Sequence, residues 1–171
     1  LSFDEELARA NIGELVSHAA RRGNFVRLDM EESAYVDRTL RIFRSLREEG
    51  HANVGTVLQS YLYRPPADLE ALLDLAPNLR FVKGAYLEPP SVAYPKKSDV
   101  DENFYKLSCR LLSGDAQQAG CLLHIATHDP ALVDRLGRYI DEHRVPTASY
   151  EYAMLYGIQR PLQRRLVEAG K

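Results

Sequence analysis

Hydrophobic residues recur along this chain at two spacings, and segments of the two kinds alternate. Stripes with a spacing of three to four residues, bounded by capping residues and by Gly or Pro, predict helices over residues 2–23, 36–50, 69–76, 98–120, 129–140 and 161–169. Short runs rich in β-branched, aliphatic and aromatic residues predict strands over residues 25–30, 54–62, 79–88, 121–127 and 147–152. The pattern therefore predicts a leading helix followed by five strand–helix units.

Strands that alternate with helices indicate a parallel sheet covered by helices. Such a sheet can either stay open and doubly wound or close into a barrel. An open doubly wound sheet usually carries a glycine-rich phosphate loop after its first strand, and none is present here. Polar residues instead follow the strands, at Asp29, Gln59, residues 83–86, residues 127–128 and Glu151. A barrel places its active site at that edge. We therefore predict one domain, residues 1–171, of the α/β class, with about five units of a (β/α)8 TIM-like barrel.

The segment 79–88 carries two basic side chains within a strand-like run. With a period of two, Arg80 shares a face with Val82, while Lys83 shares the other face with Phe81. An arginine in such a strand must be paired with a carboxylate, solvated, or held against an anionic ligand. Gly84 allows another backbone or a ligand to approach closely.

Composition excludes several classes of function. The 22 Lys and Arg are offset by 24 Asp and Glu, giving a net charge of -2, so no nucleic-acid partner is expected. Cys109 and Cys121 are too far apart for a redox or metal motif and suggest thiols in a reducing compartment. The sequence contains no apolar run of membrane-spanning length and no signal-peptide pattern, which predicts a cytoplasmic location.

The polar residues at the strand ends also have structural interpretations. Asp29 could pair with Arg27 or cap a helix, and Gln59 could be a satisfied core amide, although an amide that both donates and accepts also suits a heterocycle edge. His124 and His128 are separated by about 13 Å of extended strand, so they cannot bind one metal ion together. We therefore predict no metal site.

Four motifs together resemble the proline dehydrogenase family. They are residues 28–31 (Leu-Asp-Met-Glu), 80–86 (Arg-Phe-Val-Lys-Gly-Ala-Tyr), 126–129 (Ala-Thr-His-Asp) and 154–157 (Met-Leu-Tyr-Gly), in the order that the family shows. The similarity is to the FAD-dependent, monofunctional bacterial type and runs from about Asn24 to the end of the chain. It implies a distorted (βα)8 barrel that binds FAD non-covalently and oxidises L-proline to 1-pyrroline-5-carboxylate. Hydride would pass to flavin N5 and electrons to a membrane quinone, which implies peripheral contact with the inner membrane.

The resemblance also implies roles for individual positions. FAD would be contacted by Met30, Gln59, Arg80, Lys83, Gly84, Ala85, Thr127 and His128. The substrate would be faced by Asp29, Tyr86 and Leu155. Arg80, placed beside flavin N5, and Asp29 would be the catalytic residues, since a guanidinium stabilises the anionic reduced flavin.

The chain departs from the family pattern in one respect. The family binds the substrate carboxylate with two adjacent arginines preceded by a tyrosine, whereas here Arg164 and Arg165 follow Pro161 and are expected on a solvated helix face. We therefore expect the chain to represent the middle of the barrel and to be inactive by itself. Two alternatives remain open: a non-catalytic open-sheet domain that binds an anion through Arg80 and Lys83, and a relative that oxidises hydroxyproline.

Overall fold

The computed structural model describes residues 4–171. Its helices are α1 (Glu5–Ala20), α2 (Val36–Glu48), α3 (Pro65–Leu72), α4 (Lys97–Leu111), α5 (Gly114–Gln118), α6 (Pro130–Glu142) and α7 (Arg160–Glu168). Its strands are β1 (Val26–Leu28), β2 (Val54–Gln59), β3 (Asn78–Val82), β4 (Leu122–Ile125) and β5 (Tyr150–Tyr152). Short 3-10 turns occupy Ser33–Tyr35, Leu73–Leu75 and Thr147–Ser149.

The five strands form one parallel sheet in the order β1-β2-β3-β4-β5. Each strand therefore lies beside the strand that follows it in sequence, with no reversal of direction along the sheet. Right-handed crossovers in such a series place their helices on the same face. A doubly wound sheet needs a reversal to cover both faces, so the observed order is that of a barrel wall. The predicted α/β fold with a partial barrel is confirmed.

The main core lies between this sheet and its helices. In β3, Leu79 and Phe81 are completely buried, whereas Arg80 and Val82, which alternate with them, are half-buried on the opposite face. The Phe81 ring meets Phe104 of α4 edge to face, with their centroids 6.5 Å apart. The apolar face of β3 therefore packs against the helices, and Arg80 lies on the opposite, inner face of the sheet.

Two helices begin at aspartate caps. An Asp4 carboxylate oxygen accepts the Leu7 N–H at 2.9 Å at the start of α1, and Asp129 accepts from the backbone of the first turn of α6. The predicted capping box over residues 2–5 lies partly outside the described residues, because Ser2 is not among them. The predicted start of α6 at Asp129 and Pro130 is confirmed.

Several predicted boundaries are wrong by a few residues, and the segment 79–88 is the clearest case. β3 ends at Val82, and the chain then turns into a loop because Gly84 has a φ of +121°, which is incompatible with a strand of L-residues. The predicted helix 98–120 is two helices, α4 and α5, which meet at Ser113. The N-cap of α4 is Lys96 and not the expected Ser98 or Asp99.

Among the described residues, no helix combines the length and the apolar character needed to cross a lipid bilayer.

Candidate functional site

The carboxyl ends of all five strands open into one cleft with a volume of about 930 Å³. The eleven residues that the sequence analysis assigned to a site all line it: Asp29, Met30, Gln59, Arg80, Lys83, Gly84, Ala85, Tyr86, Thr127, His128 and Leu155. Parallel strands bring their carboxyl ends to the same edge, so residues far apart in sequence become neighbours there. A volume near the upper end of the range for small-molecule sites suits a large cofactor together with a small substrate.

Arg80 and Asp29 form an ion pair at the floor of this cleft. The Arg80 side chain is 28% exposed, whereas the Asp29 side chain is 67% exposed. Arg27, which the sequence analysis considered as the partner of Asp29, instead donates to the Thr56 carbonyl at 3.1 Å and to the Asn78 side chain at 2.8 Å. Burial and the charge of Arg80 lower the pKa of Arg27 to about 10. The inner face of the sheet is therefore rich in positive charge around Arg80.

The two histidines have separate surroundings. His124 is the register partner of Arg80, and its Nδ1 lies 3.0 Å from a carboxylate oxygen of Glu151. Burial and the nearby arginines lower the pKa of His124, which favours a neutral ring. His128 lies beyond the end of β4, where its Nε2 accepts the Leu155 N–H at 2.9 Å. No group of three metal-binding side chains occurs in the described part of the chain.

The side-chain amide of Gln59 is buried, and within residues 4–171 only its N–H group has a hydrogen-bond partner. Its Nε2 donates to the Glu31 carbonyl at 3.1 Å, while its Oε1 has no partner among the described residues. The Arg80 Nε is also buried and unpartnered. Buried polar atoms without partners are costly, and at the wall of a cleft they mark positions where a ligand can supply the missing hydrogen bond.

Lys83 is held by two carboxylates. Its ammonium lies 2.6 Å from Asp101 of α4 and 2.8 Å from Asp129, the cap of α6. Lys97, at the start of α4, contacts the same two aspartates. Hydrogen bonds from both lysines hold the pKa of Asp129 well below its usual range. Burial alone would raise the pKa of Asp101, but the same two lysines lower it overall. The sequence analysis did not assign Lys97, Asp101 or Asp129 to the site, although the four-residue spacing of Lys97 and Asp101 on a helix is a signal for a pair.

The loop after β3 is shaped by Gly84. A Cβ atom at Gly84 would lie 2.2 Å from the ring of Tyr61, so the close approach expected at this glycine is made by a side chain of the same protein. Two residues further on, the Tyr86 hydroxyl donates to the Glu31 carboxylate, and this hydrogen bond raises the pKa of Tyr86. Glu31 was not recognised from the sequence as part of the cleft.

The remaining candidates differ in exposure. Thr127 is buried and its hydroxyl accepts the N–H of Asp129 at 3.2 Å, while Met30 is a buried lining residue that belongs to a small apolar cluster. Leu155 is 68% exposed on the segment after β5. On α7, Arg165 forms a surface ion pair of 2.6 Å with Asp134, consistent with the expected solvated helix face.

A parallel sheet in sequential order, with helices on its outer face and a polar cleft at its carboxyl edge, defines a protein of the (βα)8-barrel class. The family model for proline dehydrogenase matches residues 5–171, and the chain belongs to the proline dehydrogenase family.

Known relatives agree with this assignment. The chain is 46% identical over 167 residues to proline dehydrogenase from Deinococcus radiodurans, covering 97% of this chain and 52% of that protein. It is 37% identical over 171 residues to proline dehydrogenase 1 from Bacillus subtilis, covering 99% of this chain and 54% of the relative. The chain therefore spans about half the length of these relatives.

Solved structures with the same fold include proline utilization A (PutA) from Bdellovibrio bacteriovorus. That structure matches with a TM-score of 0.88 at 24% identity, over 97% of this chain and 19% of that chain. PutA from Bradyrhizobium japonicum matches with a TM-score of 0.80 at 20% identity, over 94% of this chain and 18% of that chain. These similarities support the barrel architecture.

Proposed function

We propose that this chain contributes the carboxyl-edge cleft of an enzyme that oxidises L-proline to 1-pyrroline-5-carboxylate, with FAD as hydride acceptor and a quinone as final electron acceptor. The observation that carries the proposal is the convergence of Asp29, Gln59 and Arg80 on one cleft, in a chain that matches the family over residues 5–171. Relatives named proline dehydrogenase support proline as the substrate.

The residues of the cleft fit a flavin. The unpartnered Oε1 of Gln59 can accept a hydrogen bond from a heterocyclic N–H, and the Arg80 guanidinium offers a fixed positive charge. When bound, FAD supplies the acceptor for the hydride that leaves the proline ring. Lys83, Gly84 and Ala85 would hold the cofactor at the loop after β3.

Three further residues would complete the flavin site. Thr127 and His128 would hold the cofactor at the end of β4, and Met30 would pack against the ring. Since these residues come from different strand ends, cofactor binding would depend on the spacing of the strands.

Arg80 and Asp29 would act on the reacting atoms. The Arg80 guanidinium would stabilise the negative charge that the cofactor gains, a stabilisation that grows along the reaction coordinate and so increases the rate. The Asp29 carboxylate would accept a hydrogen bond from the substrate nitrogen. As the ring C–N bond becomes C=N, the carboxylate would take the proton that this nitrogen loses and release it to solvent, to which Asp29 is 67% exposed. Tyr86 and Leu155 would also face the substrate.

The alternative of an anion-binding domain receives less support from the geometry. Arg80 already has a carboxylate partner in Asp29, and Lys83 has two, in Asp101 and Asp129. A free anion would have to compete with these carboxylates for the two cations. We also propose a cytoplasmic location with peripheral contact at the inner membrane, since quinones reside in the bilayer.

The proposal is tested by the visible absorption spectrum of the native protein before and after anaerobic addition of proline. A flavin spectrum that bleaches with proline is the expected result. A colourless protein that cannot be reconstituted with FAD would contradict the proposal. Replacing proline with hydroxyproline in the same cuvette distinguishes the two substrates.

The role of Arg80 is tested by Arg80→Lys. Lysine keeps the charge but cannot hold the same planar geometry, so we expect the flavin spectrum to persist while turnover falls by about 100-fold or more. Unchanged turnover with an unchanged spectrum would contradict the assigned role.

A further inference from the structure

The two halves of the loop after β3, residues 83–96, are held by different kinds of contact. The second half is fixed to the chain after β2 by backbone hydrogen bonds, from the Tyr63 N–H to the Val92 carbonyl at 3.0 Å and from the Tyr94 N–H to the Tyr61 carbonyl at 2.7 Å. In the described part of the chain, the backbone of residues 84–88 makes no hydrogen bond to other backbone groups. The first half, which contains Tyr86, therefore depends on side-chain contacts for its position.

The first of those contacts, called the grip below, consists of two hydrogen bonds that Glu88 accepts from Ser33. One carboxylate oxygen of Glu88 accepts the Ser33 backbone N–H at 2.6 Å, and the other accepts the Ser33 hydroxyl at 2.8 Å. The two residues are 55 positions apart in sequence, so the contact joins the loop after β3 to the connection after β1. A carboxylate that accepts two hydrogen bonds at once fixes both direction and distance.

The second contact lies beside the first and joins the same two segments. The Tyr86 hydroxyl donates to Glu31, whose backbone carbonyl in turn accepts from Gln59. Beneath them the Tyr61 ring packs against Gly84, and burial together with the Glu88 charge raises the pKa of Tyr61 to about 12. The loops after β1 and β3 are thus tied together across the end of β2, directly over Gln59.

We propose that Glu88 is a positioning residue: by gripping Ser33 it fixes the loop after β3 so that Tyr86 faces the substrate side of the cleft, and it thereby sets substrate affinity. The inference rests on the proposed function. A contact made equally in the bound substrate and in the transition state changes KM and leaves kcat nearly unchanged. Loss of the grip should therefore be visible as a selective rise in KM.

The test compares four variants of the native FAD-loaded protein. Glu88→Ala removes the grip, and we expect the KM for proline to rise about tenfold with kcat within about twofold and the flavin spectrum unchanged. Ser33→Ala removes one of the two hydrogen bonds and should raise KM by about threefold. Glu88→Gln can still accept the Ser33 N–H and should keep KM within about threefold of the wild type.

The matched control is Glu32→Gln, which removes a negative charge next to Ser33. Glu32 contributes to the electrostatic environment of both Tyr61 and Tyr86 but makes no side-chain cap hydrogen bond. Its KM should stay within about twofold of the wild type, which separates loss of the grip from loss of charge. Hydrogen exchange of the amides of Ser33 and residues 84–88 should accelerate in Glu88→Ala and not in Glu32→Gln.

The outcomes separate the inference from the proposed function. An unbleached wild-type flavin overturns the proposed function and, with it, any role of Glu88 in substrate affinity. Normal reduction of the wild type with an unchanged KM in Glu88→Ala overturns the inference alone. If Glu88→Ala does not fold, Ser33→Ala decides, because an unchanged KM in that variant contradicts the grip. Equal losses of kcat and flavin binding in the Glu88 variants would indicate a purely structural role and would also overturn it.

Discussion

Each basic side chain on the wall of the cleft is matched by an opposite charge nearby. Arg80 pairs with Asp29, and Lys83 lies between Asp101 and Asp129. Such pairs hold the side chains in place before a ligand arrives, at the cost of desolvating them. Removal of one partner leaves the other charge partly buried and uncompensated. The consequence is that substitutions here act on stability as well as on binding, and the two effects must be measured separately.

The ion pairs of Asp129 should make the stability of the folded protein depend on pH. Lys83 and Lys97 hold the pKa of Asp129 below the usual 3.8, so its ionised form stabilises the folded state above about pH 4 and loses this effect as the pH falls further. Asp129→Asn retains the helix cap but loses both ion pairs. We expect the variant to be less stable by about 1–2 kcal/mol at pH 7, with the difference shrinking below pH 4.

Urea unfolding at pH 7 and at about pH 3.5, without added cofactor, measures this difference. Asp134→Asn removes an exposed surface pair with Arg165 and serves as the control, with an expected effect below about 0.5 kcal/mol. An Asp129→Asn destabilisation that stays constant across this range would argue against the ion pairs as its source.

Gly84→Ala should destabilise the protein for two reasons that act together. The position has a φ of +121°, and the new Cβ would meet the Tyr61 ring at 2.2 Å. We expect a loss of about 2–4 kcal/mol in urea unfolding. Gly137→Ala is the matched control, because Gly137 lies inside α6 and a methyl group added there would meet nothing within 4 Å, so this variant should gain about 0.5–1 kcal/mol. Similar effects of the two substitutions would contradict this account.

The sequence predicted the cleft residues better than it predicted their contacts. Asp29 and Gln59 could be found because each lies at or near a strand end, and parallel topology gathers those ends. Arg80 lies in the middle of β3 and was found because it is a charge within a strand and belongs to a motif that resembles the family. Glu31 and Glu88 were missed, because their partners lie 55 positions away along the chain and no local pattern records such a contact. Side-chain pairing across loops became visible only in the folded chain.

At the scale of elements, α4 is held against β3 by aromatic packing. Phe104 is completely buried and meets Phe81 edge to face. Because α4 also carries Lys97 and Asp101 at its first turns, its position sets the position of the ion pairs around Lys83. Packing on the outer face of the sheet therefore supports the geometry on its carboxyl edge.

Phe104→Ala should reduce the stability of the protein by about 3–5 kcal/mol, through lost burial and the cavity that remains. Lys106→Ala on the same helix removes a side chain that is 71% exposed and should change stability by less than about 0.5 kcal/mol. Thermal or urea unfolding of both variants measures the contrast. A loss below about 1 kcal/mol for Phe104→Ala would show that the core at this position can collapse to fill the space.

All five strands were predicted from their hydrophobic runs, but the ends of the first four were placed too far along the chain, whereas the end of β5 at Tyr152 was predicted correctly. The run 54–62 continues past the end of β2 at Gln59, because Ser60 and Leu62 remain buried in the turn that follows. A run of hydrophobic residues indicates which residues are buried but not where the hydrogen bonds between strands end. A buried turn therefore has the same sequence pattern as a strand. The break between α4 and α5 was missed for the same reason, since Leu111 and Leu112 are both buried around it.

At the scale of the molecule, the sheet has two outer strands. In the described part of the chain, β1 and β5 each pair with one neighbour only, and apolar side chains after β5, including Leu155 and Tyr156, are strongly exposed. Open parallel edges and exposed apolar surface are unfavourable in water. The chain also spans about half the length of the relatives that it matches.

We predict that the 171-residue chain produced by itself does not oxidise proline. The measurement is proline-dependent reduction of an artificial dye in the presence of added FAD, with the relative from Deinococcus radiodurans assayed in parallel as the positive control. Dye reduction by the isolated chain above the background without proline would show that these strands suffice for catalysis.

The sequential strand order also determines how the sheet can be assembled. Pairing partners in adjacent strands are separated by as few as 23 residues, from Thr56 to Leu79, and by no more than 44, from Asn78 to Leu122. Each strand from β2 to β5 therefore finds its preceding neighbour already synthesised as it leaves the ribosome, so pairing among these five strands does not wait for a distant part of the chain. The sheet can grow by one strand at a time from β1 toward β5 during translation, with each helix covering the strands before the next unit is made.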